Sequence, residues 1–304
     1  HILEQMEADF LMKFPDEEYD VIVDAIFGVG LKREVAGRHR EVIERLNQME
    51  ALKVAVDVPS GVDASAGQIL GIAFEADITV TFGLPKVGLL LYPGADVSGE
   101  VIVKEIGFPN KAVEEIAPQM VSFTTDDLEL LPERKAWTNK GSYGKVLLIA
   151  GSKNMAGAAL LSGTAAYKSG SGLVRIFSCE ENRVILQEKL PEAILTTYDS
   201  EEKAWELLPE SLSWASVIGI GPGIGQSAFA SKLVKQVLTL GKAPLVIDAD
   251  GLNNLAALLQ EDTELRQLFH EYEGGMILTP HLKEMSRLTG EEIAEIRSNL
   301  PKAA

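Results

Sequence analysis

The order of apolar and polar positions along the chain predicts strands that alternate with helices. Short, mostly apolar runs of strand length are separated by stretches in which apolar residues recur every three or four positions. The predicted strands cover residues 19–27, 53–58, 78–82, 101–106, 145–150, 173–177, 194–198, 217–220, 245–247 and 276–278. The predicted helices include the stripe Val42, Ile43, Leu46 and Met49, and residues 158–169, 184–190, 229–240 and 281–289. This alternation indicates open, mostly parallel α/β sheets with helices on their faces.

The stretch from Gly141 to Phe177 is the clearest of these strand–helix units. Its first strand leads into a turn of small residues, Gly151–Gly157, and the following helix is almost entirely small on one side. Strand, glycine-rich turn, helix and strand make a parallel crossover, and such sheets bind ligands at the carboxyl ends of their strands. Free N–H groups at the turn favour an anion. A tightly packed unit without a ligand is the alternative.

Length and composition favour two domains. The chain has 304 residues, of which 46% are hydrophobic and 24% are charged, and this is enough for two domains of about 100–200 residues each. Pro109–Trp137 lacks a strong period and is predicted to be a connector with a short entry helix. We therefore predict one domain over residues 1–120 and a second over residues 121–304. Residues 1–18 are acidic and carry only a weak helical pattern.

The charge balance argues against nucleic-acid and membrane partners. The net charge is −17 and the isoelectric point is about 4.7, so the field of the protein repels phosphate backbones. No apolar run approaches the roughly 18 residues that span a membrane, and no secretory signal is visible. We therefore predict a cytoplasmic protein. Because the chain begins at His1 rather than at Met, we expect it to be a fragment.

The few cysteines and histidines exclude some kinds of site. The single cysteine, Cys179, rules out an internal disulfide framework, suits a reducing compartment and is predicted to be an inert small residue. The four histidines do not form a ligand-like cluster with it, so a zinc site is not expected.

Two acids in the first half lie near the ends of predicted strands. Asp24 and Asp57 each precede a glycine-bearing loop, and such strand ends are where α/β proteins keep their sites. A carboxylate buried there needs a cation or hydrogen-bond donors, and Asp24 with Ser60 would supply hard oxygen ligands to a cation. The alternative is that both acids cap neighbouring turns. The loop that begins at Gly28 lacks the third glycine of a dinucleotide fingerprint.

Three loops of the second half carry candidate binding groups. The turn Gly221–Gly225 offers N–H groups to a pyrophosphate or ribose, or is a tight turn before a helix. In the predicted loop 248–253, two aspartates are either turn caps or part of a polar pocket. Thr279 is predicted as an N-cap with Pro280 at the first helical position. His281 either forms a hydrogen bond with a ligand or has a structural role.

Four segments of the first half together resemble the NAD(P)H-hydrate epimerase domain. They are VDAIFGVGLKREVAG, AVDVPSGVDASAGQ, ADITVTFGLPKVGLLLYPG and VIVKEIGFP, and they lie within residues 19–109. The resemblance implies a Rossmann-like domain in which Asp24 and Ser60 bind K⁺ and in which Asp57 and Lys86 are the acid–base candidates. It also implies that Asp57 and one loop contact the hydrated dinucleotide, the loop residues being Gly28, Val29, Gly30, Leu31, Lys32, Arg33 and Glu34. Inverting a hydroxyl-bearing carbon beside a ring nitrogen needs such proton transfer.

Five segments of the second half resemble the ADP/ATP-dependent NAD(P)H-hydrate dehydratase, which has a ribokinase-like fold. They are NKGSYGKVLLIAGS, MAGAALLSGTAAYKSGSGLV, IGIGPGIG, VIDADGLN and LTPHLKEMSRLTG, and the match covers residues 126–290. The resemblance implies that the hydrated dinucleotide is lined by Ala158, Gly223, His281, Leu282, Lys283, Glu284, Met285, Ser286 and Arg287. It further implies ADP or ATP as co-substrate, with Mg²⁺ to offset the phosphate charge.

Both resemblances also indicate parts that this chain lacks. The epimerase family's Asn-Asn-Gly-Gly-Asp phosphate loop is expected upstream of His1. The dehydratase family's Gly-Met-Ala-Thr-Gly-Gly segment, with the catalytic Asp after it, is expected beyond Ala304, so the choice between ADP and ATP stays open. We expect the dehydratase step to fail in the fragment alone.

The two halves together predict a bifunctional enzyme that repairs hydrated NADH and NADPH. Its partner is a small-molecule substrate, and the resemblance suggests a homo-oligomer. One alternative is a ribokinase-like kinase for a vitamin precursor, which the epimerase-like half argues against. Another is a dinucleotide-binding protein without chemistry, for which the full set Asp24, Asp57, Ser60 and Lys86 would be unnecessary.

Overall fold

The computed structural model describes residues 18–116, 120–131 and 133–304. The weak helical pattern predicted over residues 1–18 therefore lies outside the described residues except for its last position. The described residues divide into two compact units, one containing those up to Thr124 and the other those from Thr125 to Arg297. The few residues after Arg297 are divided between them.

The first unit contains a parallel sheet of four strands. These are β1 (Val21–Asp24), β2 (Leu52–Val56), β3 (Ile78–Phe82) and β4 (Glu100–Lys104), in the order β1-β2-β3-β4. Every neighbouring pair is parallel, so all four carboxyl ends lie at one edge. The helices are α1 (Gly37–Gln48), α2 (Gly94–Ser98) and α3 (Asn110–Ile116), and a 3₁₀ turn covers Val87–Leu89.

The pattern of apolar residues explains which faces of these elements are buried. In β1, Ile22 and Asp24 are buried while Val21 and Val23 are exposed, as expected for side chains that alternate between the faces of a strand. Ile43 is the buried residue of α1 and belongs to a core cluster with five other buried residues, Ile22, Val35, Ala55, Phe74 and Ala76.

Close backbone packing beyond the first sheet requires a glycine at position 88. The N–H of Gly88 donates to the carbonyl oxygen of Ala64 at 2.8 Å. A Cβ added to Gly88 would lie 2.1 Å from the carbonyl oxygen of Asp63, which is far inside van der Waals contact. The loop after β3 is therefore packed directly against the loop after β2.

The second unit contains a parallel sheet of six strands. These are β5 (Lys145–Ile149), β6 (Leu173–Cys179), β7 (Ile194–Tyr198), β8 (Val217–Ile220), β9 (Leu245–Ile247) and β10 (Met276–Leu278). Their order is β10-β9-β8-β5-β6-β7, and all pairs are parallel. The strand order reverses beside β5. The loops after β5 and β8 therefore leave the sheet in opposite senses, and such a switch point opens a crevice at the carboxyl edge.

Helices connect the strands of this sheet and follow its last strand. They are α4 (Ala156–Lys168), α5 (Arg183–Lys189), α6 (Glu201–Trp214), α7 (Ala228–Leu240), α8 (Asp250–Glu261), α9 (Thr263–His270), α10 (Leu282–Thr289) and α11 (Ile293–Ser298), and α12 (Leu300–Ala303) ends the chain. Shorter 3₁₀ turns cover Thr125–Leu130, Lys140–Tyr143 and Glu180–Asn182. The largest core cluster joins strands β5, β6, β8 and β9 to α6, α7 and α8.

The predicted α/β class with two parallel sheets is confirmed, while several element boundaries were wrong. The first strand ends at Asp24 rather than at residue 27, because the chain turns there and the N–H of Ile26 bonds to Asp24 Oδ1 at 3.2 Å. The predicted loop 248–253 is the start of helix α8, which begins at Asp250. Helices α6, α8 and α9 were not predicted at all.

Among the described residues, no helix is both long enough and apolar enough to cross a membrane.

Candidate functional site

A buried carboxylate lies at the carboxyl edge of the first sheet. Asp24, the last residue of β1, is 1% exposed. Its Oδ1 accepts a hydrogen bond from Ser60 Oγ and its Oδ2 accepts one from the N–H of Ser60, both at 2.7 Å. The Ser60 hydroxyl also accepts the N–H of Phe27 at 2.8 Å. The predicted cation ligands Asp24 and Ser60 are thus in direct contact, and the bond from Ile26 shows that Asp24 also stabilises its own turn.

The second acid, Asp57, forms an ion pair with Lys86. Lys86 Nζ lies 2.5 Å from Asp57 Oδ1, which also accepts bonds from Thr81 Oγ1 at 3.0 Å and from the N–H of Phe82 at 3.1 Å. Nζ further donates to Thr81 Oγ1 at 3.0 Å and to the carbonyl oxygen of Phe82 at 2.8 Å. These three contacts occupy all three N–H groups of the ammonium. Asp57 is therefore held by β3 and by Lys86, and its bond from the N–H of Phe82 fixes the backbone at the end of β3.

The surroundings of Asp57 lower its pKa. Partial burial raises the pKa, but the hydrogen bonds from Lys86, Phe82 and Thr81 and the positive charge of Lys86 outweigh it. Asp57 is consequently a carboxylate at neutral pH. In the part of the chain that the structure describes, no hydrogen bond ends on Oδ2, so this oxygen is left to accept a proton or a substrate hydroxyl.

The loop after β1 lines a cleft at the same edge of the first sheet. The cleft has a volume of about 450 Å³ and is lined by Ile26, Phe27, Gly28, Gly30, Leu31, Lys32 and Arg33. Of the predicted loop residues, Val29 is exposed and Glu34 lies at the end of the loop. The bond between Phe27 and Ser60 fixes the start of this loop beside Asp24. Lys32 and Arg33 give the cleft a local positive charge within a strongly acidic chain.

Two glycine turns meet at the carboxyl edge of the second sheet. The first glycine turn is Gly151–Gly157, after β5, and the second glycine turn is Gly221–Gly225, after β8. The N–H of Gly151 donates to the carbonyl oxygen of Pro222 at 2.8 Å. A Cβ added to Gly223 would lie 2.7 Å from Ala158 Cβ, so these two predicted substrate residues are in contact. Gly223 has a φ of +67°, which glycine adopts without strain.

The two aspartates after β9 make different contacts. Asp250 Oδ2 accepts the N–H of Gly225 at 3.0 Å, so this side chain holds the second glycine turn. Asp248 Oδ1 accepts a bond from Thr279 Oγ1 at 2.8 Å, which joins the loops after β9 and β10. The sequence left open whether these acids cap turns or form a polar pocket, and both bond to a loop other than their own.

His281 is the N-cap of helix α10, so the predicted N-cap at Thr279 and the predicted helical Pro280 were wrong. Its Nδ1 accepts the N–H groups of Lys283 and Glu284 at 3.1 and 3.3 Å, and Glu284 Oε2 accepts the N–H of His281 at 2.9 Å. In this capping box an imidazole nitrogen takes the place of the usual hydroxyl or carboxylate oxygen. The known N-cap preferences favour threonine over histidine, so the sequence pointed to Thr279. Nε2 of His281 lies 3.3 Å from Glu284 Oε1.

The other predicted residues of the run 281–287 lie on helix α10. Glu284 is buried by its capping role, Ser286 Oγ donates to the carbonyl oxygen of Glu291 at 2.7 Å, and Arg287 bonds to Asn253 Oδ1 of helix α8. These contacts hold helix α10 and connect it to the helix that supports the second glycine turn. Leu282 and Lys283 open the helix, and Met285 follows in its first turn.

Three buried polar residues near these loops were missed from the sequence. They are Thr81 beside Asp57, Asn182 behind the first glycine turn and Asn254 behind the second. A threonine in a strand and an asparagine in a helix carry no local signal, because their partners lie far away in the sequence. The one sequence signal for such residues is a polar side chain at a position where the apolar pattern predicts a buried residue.

Among residues 18–116, 120–131 and 133–304, no group of three or more His, Cys, Asp or Glu side chains could hold a metal ion. The oxygens of Asp24, the Ser60 hydroxyl and the Phe27 carbonyl are nevertheless gathered at one place. Hard oxygens of this kind suit an alkali or alkaline-earth cation.

Comparison with known sequences decides the family. The sequence model described as NAD(P)H-hydrate dehydratase matches residues 146–304, and the model described as YjeF-related protein N-terminus matches residues 1–88. The chain belongs to the NAD(P)H-hydrate dehydratase family. Within the dehydratase match lie both glycine turns and His281, and the YjeF-related match contains Asp24, Asp57, Ser60 and Lys86.

Two relatives align with this chain across both the YjeF-related match and the dehydratase match. A bifunctional NAD(P)H-hydrate repair enzyme from Thermofilum pendens is 37% identical over 94% of the chain and 54% of its own length. The enzyme of the same name from Escherichia coli is 34% identical over 93% of the chain and 52% of its own length. The chain therefore spans about half the length of these curated relatives.

A solved structure supports the ribokinase-like fold of the second unit. A ribokinase-like superfamily protein from Enterococcus faecalis is 30% identical, with a TM-score of 0.50, and the match covers 57% of each chain. The fold predicted for the dehydratase part from resemblance is confirmed.

Proposed function

We propose that the protein repairs hydrated NADH and NADPH. The observation that carries the proposal is the presence in one chain of a YjeF-related match and a dehydratase match, in the same order as in relatives named bifunctional repair enzymes. We assign epimerisation of the R and S hydrates to residues 1–120 and dehydration of the S hydrate to residues 121–304. The contact between Asp57 and Lys86 and the contact between Ala158 and Gly223 support one site in each unit.

In the epimerase half, Asp57 and Lys86 are proposed to move protons. Epimerisation at the hydroxyl-bearing carbon beside the ring nitrogen requires a proton to be taken up and returned as the carbon–oxygen bond breaks and re-forms. Asp57 is ionised at neutral pH and has Oδ2 available as the base. All three N–H groups of Lys86 are bonded to protein atoms, so the substrate has to replace one of these contacts before Lys86 acts as an acid.

The cleft lined by the loop after β1 is proposed to hold the dinucleotide. The loop Gly28–Glu34 presents backbone groups, and Lys32 and Arg33 supply positive charge to the phosphates. We propose that Asp24 and Ser60 hold K⁺ with the carbonyl oxygen of Phe27, since their oxygens already lie together. The ion would place a positive charge beside the Asp24 carboxyl, whose oxygens accept hydrogen bonds from Ile26 and Ser60.

In the dehydratase half, Ala158, Gly223 and the run His281–Arg287 are proposed to line the hydrated dinucleotide. ADP or ATP, bound with Mg²⁺, would supply the phosphoryl group that turns the hydroxyl into a good leaving group. The lone pair of the ring nitrogen would then expel inorganic phosphate, and the neighbouring carbon would lose a proton so that the ring double bond re-forms. No described residue is assigned to Mg²⁺, because the acids near the glycine turns are engaged with backbone and hydroxyl groups.

An assay of each epimer separately tests the proposal. The full-length protein is incubated with purified R or S hydrate, ADP or ATP and Mg²⁺, and the return of the reduced-nicotinamide absorbance band is followed. Recovery from the S hydrate requires only dehydration, whereas recovery from the R hydrate requires epimerisation first. Reactions without nucleotide are the control. Failure to recover either epimer contradicts the proposal, and a stable phosphorylated product would identify a kinase instead.

A further inference from the structure

The two glycine turns that meet at the second sheet are each attached to a buried asparagine. Both turns depend on glycine, and a glycine-rich backbone loses more conformational freedom on ordering than other residues do. The turns are joined directly by the bond from Gly151 to Pro222, and the contact between Ala158 and Gly223 also depends on how the rest of each turn is held.

Asn254 of helix α8 holds the second glycine turn. Its Nδ2 donates to the carbonyl oxygen of Gly225 at 2.8 Å and to that of Asp250 at 2.7 Å. Its Oδ1 accepts the Ser231 hydroxyl at 2.8 Å. Asn254 is only 3% exposed, so no water replaces these bonds easily. Since Asp250 binds the N–H of Gly225, both backbone polar groups of this glycine are fixed by side chains of helix α8.

Asn182 holds the first glycine turn in a similar way. It is 2% exposed and its Nδ2 donates to the carbonyl oxygen of Ser152 at 3.1 Å and to Ser178 Oγ at 3.0 Å. The Ser178 hydroxyl in turn donates to the carbonyl oxygen of Gly151 at 3.2 Å. A Cβ added to Gly151 would lie 3.0 Å from Asn182 Nδ2, so the turn and the amide are in close contact.

We infer that Asn182 and Asn254 are positioning residues for the substrate site of the dehydratase unit. Each uses a side-chain amide to fix a backbone carbonyl of one glycine turn, so that Ala158 and Gly223 form a single surface before the substrate arrives. Both asparagines are buried, and the hydrogen bonds described above go to neighbouring groups of the turns and helices. This inference rests on the proposed function, because it assigns the residues to the site for the hydrated dinucleotide. A displacement of a binding surface by about 1 Å can cost up to 10²-fold in rate, so support of this kind matters for function.

Replacement of Asn254 by alanine tests the inference, with Ser231→Ala as the matched control. Asn254→Ala removes the bonds that Nδ2 donates to Gly225 of the turn and to Asp250 of helix α8, whereas Ser231→Ala removes only the bond to Oδ1 and leaves the bond to Gly225 in place. We expect Asn254→Ala to weaken binding of hydrated NADPH by about tenfold, the loss typical of one or two hydrogen bonds, and Ser231→Ala to weaken it by less than about threefold. Binding is measured by calorimetry.

A second readout separates positioning from a purely structural role. In the ligand-free protein, Asn254→Ala is expected to increase amide hydrogen exchange at Ile224 and Gly225, while exchange in strands β5 and β8 stays as in the unsubstituted protein. Asn182→Ala is expected to have the same effect at Ser152 and Lys153. Unchanged exchange in the turns, or equal loss of protection throughout the sheet, overturns the inference.

The outcomes distinguish this inference from the proposed function. If the unsubstituted protein does not bind hydrated NADPH, the proposed function fails, and the exchange measurement still decides whether the asparagines order the turns. If the protein binds the hydrate and Asn254→Ala binds it equally well, only the positioning role is wrong. If Asn254→Ala does not fold, Asn254→Ser, which keeps a shorter donor, takes its place. Failure of both to fold also overturns the inference, in favour of a structural role.

Discussion

At the scale of single residues, Asp57 combines an unusual backbone conformation with three hydrogen bonds to one carboxylate oxygen. Its φ of 68° lies in the left-handed region, which aspartate adopts more readily than most residues but still at some cost. In this conformation, Asp57 Oδ1 accepts hydrogen bonds from the Lys86 ammonium, the Thr81 hydroxyl and the N–H of Phe82. The strained position directs the carboxylate away from its own turn and toward β3.

Loss of either member of this pair is expected to stop epimerisation. Asp57→Asn keeps the shape and removes the base, and Lys86→Met keeps the length and removes the acid. We expect each variant to lower the rate of conversion between the R and S hydrates by about 10²–10⁴-fold, the usual contribution of a general acid or base. The measurement is epimer exchange followed by chromatography. Lys111→Met, which alters an exposed lysine of α3, is the control and should retain the full rate.

The same pair predicts a dependence of stability on pH. Because the folded-state pKa of Asp57 is below its ordinary value of 3.8, the ionised carboxylate stabilises the fold above that pH. This contribution is lost as the pH falls through the lowered pKa. In Lys86→Met the effect of burial on Asp57 is less opposed, so the pKa rises and the acid-induced loss of stability begins at higher pH.

Carbon-detected NMR of the Asp57 carboxyl and urea unfolding at several pH values measure both effects. Lys235→Met is the matched control, because it breaks an ion pair with Asp262 that has the same 2.5 Å separation but lies in the second unit. An Asp57 pKa that is identical in the protein and in Lys86→Met would contradict the assigned cause.

At the scale of elements, the loop that carries Lys86 is positioned by a glycine contact. Gly88→Ala would place a Cβ 2.1 Å from the Asp63 carbonyl oxygen, and backbone atoms cannot move aside as a flexible side chain can. We expect this variant to destabilise the first unit by about 1–3 kcal/mol, as overpacking usually does. It should also raise the Asp57 pKa, because Lys86 moves with the loop. Gly30→Ala, which meets no atom within 4 Å, should unfold at the same urea concentration as the unsubstituted protein.

The strands of both sheets could be predicted because they are short, apolar and followed by turn residues. β3, β7, β8, β9 and β10 begin and end where the pattern placed them. Helix α6 was missed because Pro209 interrupts a charged sequence, although Ala204, Leu208 and Leu212 form a buried stripe. Helix α8 was missed because its first residues have the composition of a loop.

The contacts within the candidate site were less predictable than its elements. The rule that loops gather at the carboxyl ends of parallel strands agrees with the contact between Asp24 and Ser60, whereas Ala158 and Gly223 were named together only from the resemblance to the dehydratase family. It gave no indication of Thr81 or Asn254, whose hydrogen bonds depend on the register between elements. The roles assigned to the site residues remain predictions.

At the scale of the whole molecule, the acidic charge competes with the local charge of the binding cleft. The net charge of −17 repels a dinucleotide, while Lys32 and Arg33 attract it at short range. The Debye length is about 30 Å at 0.01 M salt and about 8 Å at 0.15 M. The distant negative charges are therefore screened first as salt is added, and the nearby cations keep most of their effect.

We therefore expect kcat/KM for epimerisation to increase as salt rises from about 0.01 M to 0.15 M. The double variant Lys32→Gln/Arg33→Gln should have a lower kcat/KM at every salt concentration. Lys189→Gln/Lys203→Gln removes the same number of charges from the second unit and should behave almost like the unsubstituted protein. A steady decrease of kcat/KM with salt would show that the local cations dominate at all distances.

The single cysteine, at the end of β6, allows the opening rate of the second sheet to be measured by thiol labelling. Cys179 is buried, and its burial together with the neighbouring Glu181 charge raises the pKa of the thiol, so the reactive thiolate is scarce in the native protein. A thiol reagent added to the native protein should label it only as fast as β6 becomes accessible. Mass spectrometry of the labelled fraction over time would thus report how often this sheet opens, without any engineered probe.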